Sequence, residues 1–88
     1  MKATIGRIII VKGGRACSNG ADRAPAVITR VWGQDNDTRN GMVHVNATAL
    51  CDLATPQVLG TIPLYDTEDE ATDATSYDEV AFWPERAS

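Results

Sequence analysis

The side chains with the clearest capacity for chemistry are arginines that interrupt apolar, β-branched runs. Arg7 lies within TIGRIII and Arg30 lies within VITRVW. Alternate residues of an extended strand share a face, so Arg7 shares one with two isoleucines, and Arg30 shares one with Ile28 and Trp32. A guanidinium fork suits phosphate or carboxylate oxygens, and an indole face suits a flat base. The pattern therefore points to binding of an anionic ligand that carries a ring.

The chain ends in EVAFWPERAS, which adds another aromatic ring and another arginine. We hypothesise a ligand-binding site, in a pocket or at a subunit seam, that is formed by Arg7, Arg30, Trp32, Trp83 and Arg86. The competing interpretation is that the strand arginines cover a sheet edge with their aliphatic stems or pair with carboxylates such as Glu85.

Signals for catalysis and for metal binding are weak. His44 is the only histidine, and neither Ser18 nor the two cysteines lies in a recognisable nucleophile motif. The acidic segment DTEDEATD lacks the glycine and the ligand spacing of a calcium-binding loop. Cys17 and Cys51 are too few for a zinc site and are predicted to be reduced thiols. We therefore expect no enzyme activity, no metal and no cofactor.

The formal charge of −4 divides unevenly along the chain. Residues 1–39 carry seven cations and three anions, whereas residues 40–88 carry one cation and nine anions. Six of the eight cations are arginine, which favours planar, bidentate contacts. An acidic chain repels duplex DNA at long range, so binding to duplex nucleic acid is not expected. No apolar run approaches the length of a membrane span, so we expect no membrane partner.

Strand signals dominate the sequence. β-Branched or alternating apolar runs predict five strands, at 4–12, 25–32, 42–48, 57–65 and 79–83. Gly60 falls inside the fourth run, where it suits a bulge or a sharp bend. Five short strands with Gly-rich and polar connections predict an all-β fold, a small five-stranded barrel or rolled antiparallel sheet of the SH3-like or OB-like kind. One short helical turn is compatible with residues 49–55.

The chain is predicted to be a single domain over residues 1–88. Residues 66–79 form an acidic, Thr-rich stretch that is typical of a mobile, solvated loop. Residues 80–86 are predicted to be a closing strand and its rim, with Phe82 or Trp83 buried against the second strand, because burial of a large ring fixes a terminal segment. Pro84 then ends the strand, since proline has no N–H to donate.

The segments TIGRI, RAPAVITRVWG, VHV and FWPER resemble, as a set and in order, a group of short proteins encoded by tailed bacteriophages and prophages. That group has the order TIGRIV, RPAIVVRVWG and a W-x-W-P-E-R ending. The present chain reads Ala81-Phe82-Trp83 where the group has paired tryptophans, so one ring of a two-ring stacking site is missing or replaced. The resemblance implies a phage origin and implies no particular activity.

Two functions from different classes follow from these observations. The first is a small, oligomeric, phage-encoded binding protein that sequesters a nucleotide-like ligand, such as a host immune-signalling nucleotide, in the cytoplasm of the infected cell. The second is a structural or protein-interaction module without a small-molecule ligand, a virion accessory or a modulator of a host protein, whose acidic loop meets a basic partner. In both cases an 88-residue chain favours a homo-oligomer, because a single core of this size is only marginally sufficient.

Overall fold

The computed structural model describes residues 2–33, 37–38, 43–73 and 78–84. Its elements are a closed five-stranded barrel, a short 3-10 turn at Gly14–Ala16 and one short helix. The strands are β1 (Ile8–Lys12), β2 (Arg23–Trp32), β3 (Val43–Ala49), β4 (Gln57–Tyr65) and β5 (Val80–Phe82), and the helix α1 is Glu68–Asp73. The predicted small all-β barrel is confirmed.

The strands follow one another around the barrel in chain order, β1-β2-β3-β4-β5. This is a sequential meander and differs from the Greek-key order of an OB-fold. The β1–β2, β2–β3, β3–β4 and β1–β5 pairs are antiparallel, and only two residue pairs join β4 to β5 in parallel. The predominantly antiparallel sheet expected from the sequence is therefore present.

Two β-bulges, one on β2 and one on β4, lie on either side of Asn46 of β3. On β2 the register passes from Ile28 to Arg30 across one step of β3, which leaves Thr29 as the extra residue. On β4 the register passes from Leu59 to Ile62 across two steps of β3, so that Gly60 and Thr61 lie opposite Asn46. Thr61 has a φ of 52°, a conformation that a non-glycine residue rarely adopts. The bulge predicted at Gly60 is confirmed.

Alternation along the strands fills the barrel with small and branched aliphatic side chains. β3 shows it most regularly, because every second residue from Val43 to Ala49 is buried. Two of the largest core side chains, Ile9 and Ile28, come from the TIGRIII and VITRVW runs. Alanines supply much of the remaining core, which fits a barrel of narrow bore in which only small side chains can face one another.

Several predicted boundaries need correction. The first strand begins at Ile8 and not at residue 4, because the chain turns at Ile5 and Gly6, where Gly6 has a φ of 94°. The second strand begins two residues early, at Arg23, so that Pro25 lies within it. The helical turn proposed for residues 49–55 is wrong: β3 continues to Ala49, and a non-helical turn follows.

The predicted mobile loop at 66–79 contains helix α1, so the expectation of a largely irregular segment is wrong for residues 68–73; residues 74–77 lie outside the described residues. The Thr67 hydroxyl accepts a hydrogen bond from the Glu70 N–H and donates one to its carboxylate. This is half of a capping box, and the three acidic residues of the first turn complement the helix dipole. The capping pattern T-x-x-E was visible in the sequence.

Helix α1 covers part of the outer surface of the barrel. Its buried Ala71 lies in a small cluster with Val80 and Phe82, against which Ile10 and Tyr65 are packed. Because Ala81 lies in the main core, the two β5 residues on either side of it face outwards, towards α1. The helix therefore buries apolar side chains that the barrel alone would leave in water.

The C-terminal aromatic residues are both buried, Phe82 to 5% exposure and Trp83 to 6%. Phe82 lies opposite Ile10 of β1 and Tyr65 of β4 in the strand register, and the guanidinium of Arg23 on the second strand lies over its ring. Trp83 belongs to the main core, and Pro84 follows it in the exposed, non-strand chain. Among the described residues, no helix has the length and apolar character needed to cross a membrane.

Candidate ligand-binding site

The outer wall of the barrel presents a stacked pair, Arg30 and Trp32. The Arg30 Cζ atom lies 3.9 Å from the centroid of the Trp32 ring, which is cation–π geometry. Both side chains are exposed, Trp32 to 39%. Ile28, in contrast, is fully buried inside the barrel. The expectation that Arg30 shares a face with Ile28 is wrong, because the extra residue in the β2 bulge reverses the alternation between them.

Asn46 fixes the position of the indole. Its Oδ1 atom accepts a hydrogen bond from Trp32 Nε1 at 2.9 Å and one from the Thr61 N–H at 2.8 Å. One amide oxygen therefore joins the Trp32 side chain to the bulge on β4. Sequence reasoning missed Asn46; the available signal was a polar, strand-disfavoured residue within an alternating run.

Trp83 lies in a different environment, at one end of the barrel. Its Nε1 atom donates a hydrogen bond to Thr38 Oγ1 at 2.8 Å, and the Thr38 hydroxyl donates to the Asp66 carboxylate. Thr38 is completely buried. Arg7 lies over the Trp83 ring, with its Cζ atom 5.6 Å from the centroid. Since the ring is buried, Trp83 closes the barrel and offers no open face to a ligand.

The five residues of the hypothesised site are thus separated. Arg30 and Trp32 form one pair on the outer wall, Arg7 and Trp83 form a second pair, and Arg86 lies outside the described residues. The backbone still brings the two pairs near each other in the sheet, because Ile28 N–H donates to the Arg7 carbonyl oxygen at 3.0 Å. Arg7 therefore lies beside β2, two residues along the strand from Arg30.

A cluster of ion pairs links α1 to the barrel and was not expected from the sequence. Glu68 contacts Arg23 Nη1 at 2.8 Å and Lys12 Nζ at 3.4 Å, and Arg23 also bonds Asp22. The hydrogen bond from Arg23 lowers the pKa of the Glu68 carboxyl below its ordinary value, and Lys12 acts in the same direction. The same guanidinium lowers the pKa of Asp22. Arg23 also lies over the Phe82 ring, so its guanidinium contacts both β5 and, through Glu68, helix α1.

No family model matches the chain, and no curated protein or solved structure matches it either. Within the described ranges, no group of three or more His, Cys, Asp or Glu side chains is arranged to hold a metal ion. His44 lies on β3 opposite Trp32, on the same wall as the stacked pair.

Proposed function

We propose that this protein is a small, non-catalytic binding module that takes an anionic ligand with a flat ring, a nucleotide in the simplest case, at Arg30 and Trp32. The observation that carries the proposal is the preformed stack, in which a guanidinium lies 3.9 Å from an exposed indole. Arginine supplies donors for phosphate oxygens, and the indole supplies a surface for a base.

Preorganisation supports this assignment. The Trp32 indole is held by its hydrogen bond to Asn46, so little side-chain freedom is lost when a ligand stacks on it. Arg30 forms no ion pair with any residue that the structure describes, which leaves its donors available for a phosphate. Arg23, by comparison, is engaged by two carboxylates and is not free to bind an anion.

The resemblance of four segments of the chain to phage and prophage proteins suggests which ligand such a site would serve in an infected cell. A host immune-signalling nucleotide is a ring-bearing anion, and a protein that only sequesters it needs no catalytic group. This part of the proposal is tested by native mass spectrometry of the protein after incubation with host nucleotide pools. A retained nucleotide mass supports it, and an unchanged protein mass contradicts it.

The site itself is tested by titration with AMP, adenosine and ribose 5-phosphate while tryptophan emission is followed. We expect AMP to bind most tightly, because only AMP has both the ring and the phosphate. Quenching should be lost in Trp32→Phe, in which the buried Trp83 is the remaining tryptophan. Arg30→Ala should weaken AMP binding by roughly 5- to 150-fold, the range for loss of one stacking or charged contact.

The matched control is Arg15→Ala, which removes an equal charge from an exposed arginine in the 3-10 turn. Arg15→Ala should bind AMP as the wild type does. Equal weakening by the two substitutions would show that AMP responds only to net charge, and would contradict a site at Arg30. No saturable binding of any of the three compounds would also contradict it.

A second candidate function, a protein-interaction module, is favoured by a separate observation. The outer wall beside Arg30 carries a row of uncharged, partly exposed aliphatic side chains on β1, β2 and β4. Such a row adds nothing to phosphate recognition but suits contact with another polypeptide.

A further inference from the structure

Four side chains form an uncharged row across the outer wall, which we call the aliphatic row: Ile8, Val27, Thr48 and Val58. Each is directly opposite the next in the strand register. Their chain neighbours Ile9, Ile28 and Leu59 are fully buried, so the row faces outwards. Ile8 is 48% exposed and Val58 is 75% exposed. Large aliphatic side chains therefore meet water at both ends of the row.

The apolar surface extends beyond the row on one side. Pro25 lies two positions before Val27 on the same face of β2 and is exposed, and its carbonyl oxygen accepts a hydrogen bond from the N–H of Leu50. Leu50 is 48% exposed. The aliphatic row, Pro25 and Leu50 together form a surface of six adjacent uncharged residues on a protein of 88 residues. A contiguous exposed apolar surface of this kind marks an interaction site more often than ordinary surface.

Along β2 this surface has the basic residue Arg30 near one end and the acidic helix α1 near the other. At one end lies Arg30, which has no ion-pair partner among the described residues. At the other end lies Arg23, where α1 is attached. The cations and carboxylates of that attachment balance one another, and α1 then presents further exposed carboxylates, at Asp69, Glu70 and Asp73. The surface is therefore basic at one end, apolar in the middle and acidic at the other.

We infer that the aliphatic row is the surface on which a second copy of the chain docks, about a two-fold axis that passes near Val27. A two-fold interface requires one patch to complement itself. Rotation by half a turn places the basic end of one copy against the acidic end of the other and brings the two apolar centres together. A different protein partner would need to reproduce both features, whereas a second copy has them already.

The interface is tested with the full-length chain by sedimentation over a range of protein concentrations. We expect the wild type to sediment with twice the mass of one chain. Val58→Glu should raise the dimer dissociation constant by at least about 30-fold, because a carboxylate would be buried in the interface without a partner. The matched control is Leu53→Glu, which introduces the same charge at an apolar residue that is 88% exposed and lies in the turn between β3 and β4, outside the aliphatic row. Leu53→Glu should remain dimeric.

Ionic strength provides a second measurement. The wild-type dimer should weaken as salt is added, and Arg30→Gln should reduce that salt dependence, because one charged end of the surface is removed. A wild type that is monomeric at all concentrations would overturn the inference. Equal dissociation constants for Val58→Glu and Leu53→Glu would also overturn it, because they would place the interface elsewhere.

Arg30 belongs both to the dimer surface and to the proposed ligand site, so AMP and the second copy compete for it, and Val58→Glu distinguishes the two proposals. Val58→Glu removes the dimer contact and leaves Trp32 and Asn46 in place, so it should still bind AMP. If neither the wild type nor Val58→Glu binds AMP, and Val58→Glu still dissociates the dimer, the proposed function is contradicted and the inferred dimer is supported.

Discussion

Trp32 and Trp83 have the same kinds of partner in different surroundings. Each ring has an arginine over it, and each indole N–H donates to a side-chain oxygen. Trp83 is 6% exposed and Trp32 is 39% exposed. The same set of contacts closes the core in one place and holds a ring at the surface in the other. Burial, and not the set of contacts, therefore distinguishes the structural Trp83 from the candidate binding residue Trp32.

The largest expected effect is that of Trp83→Ala. Removal of a buried aromatic side chain should lower the free energy of unfolding by about 3–5 kcal/mol, which is a large share of the stability of a small domain. Urea denaturation followed by circular dichroism measures it. Trp32→Ala is the matched substitution and should cost far less, because much of its ring is already in water. Similar losses for the two variants would contradict the distinction between a structural Trp83 and an exposed Trp32.

Asn46→Ala should have an intermediate effect, a loss of about 1 kcal/mol, because two hydrogen bonds are removed and their exposed donors can turn to water. The more specific measurement is the nuclear magnetic resonance signal of each indole N–H. The Trp32 signal should shift and the Trp83 signal should stay. Asn46→Asp, which keeps an acceptor, should preserve the Trp32 signal better. A shift of both signals in Asn46→Ala would show that the two sites are coupled.

Acid should weaken the region around Trp83 before it affects Trp32. The folded-state pKa of Glu68 lies below its ordinary value of 4.5, so the stabilising contribution of Glu68 is complete above that pH and is lost as the pH falls through the folded-state pKa. As Glu68 is protonated, α1 loses its ion pairs to Lys12 of β1 and Arg23 of β2. Arg23 lies over Phe82, the residue before Trp83, so the loss reaches that end of β5. The melting temperature is measured from about pH 6 to about pH 3, a range that spans the ordinary carboxyl pKa values. It should fall more steeply with decreasing pH in the wild type than in Glu68→Gln. Identical pH profiles would contradict a role for Glu68 in holding α1.

The smallest effects are expected from the arginines over the rings. Arg30→Ala should cost about 0.5–1 kcal/mol of stability, the usual range for an exposed cation–π pair. Arg7→Ala should cost less, because its guanidinium is 5.6 Å from the ring centroid whereas that of Arg30 is 3.9 Å away. Thermal melts of the two variants at equal protein concentration measure the difference. A greater loss for Arg7→Ala would show that Arg7 helps to seal the barrel end.

Much of the barrel could be predicted from local sequence patterns. The β-branched runs located β1 and β2, alternation located β3, and Gly60 marked the bulge on β4. The site could be predicted only in part. Strand alternation predicts that Arg30 and Trp32 share a face, which their stacking confirms, but no local pattern indicates the bulge at Thr29 that turns them outwards. Helix α1 was missed because acidic composition outweighed its capping pattern.

Local sequence patterns specify which segments become strands, which of their residues are apolar enough to fill a core, and that Phe82 or Trp83 is buried near the end of the chain. Which of the two similar Arg–Trp pairs is exposed depends instead on the tertiary fold. The physical reason is distance along the chain: Trp83 is fixed by Thr38, 45 residues away, and Trp32 by Asn46 on the next strand. Such contacts form only when the barrel closes, and no local pattern of residues specifies them.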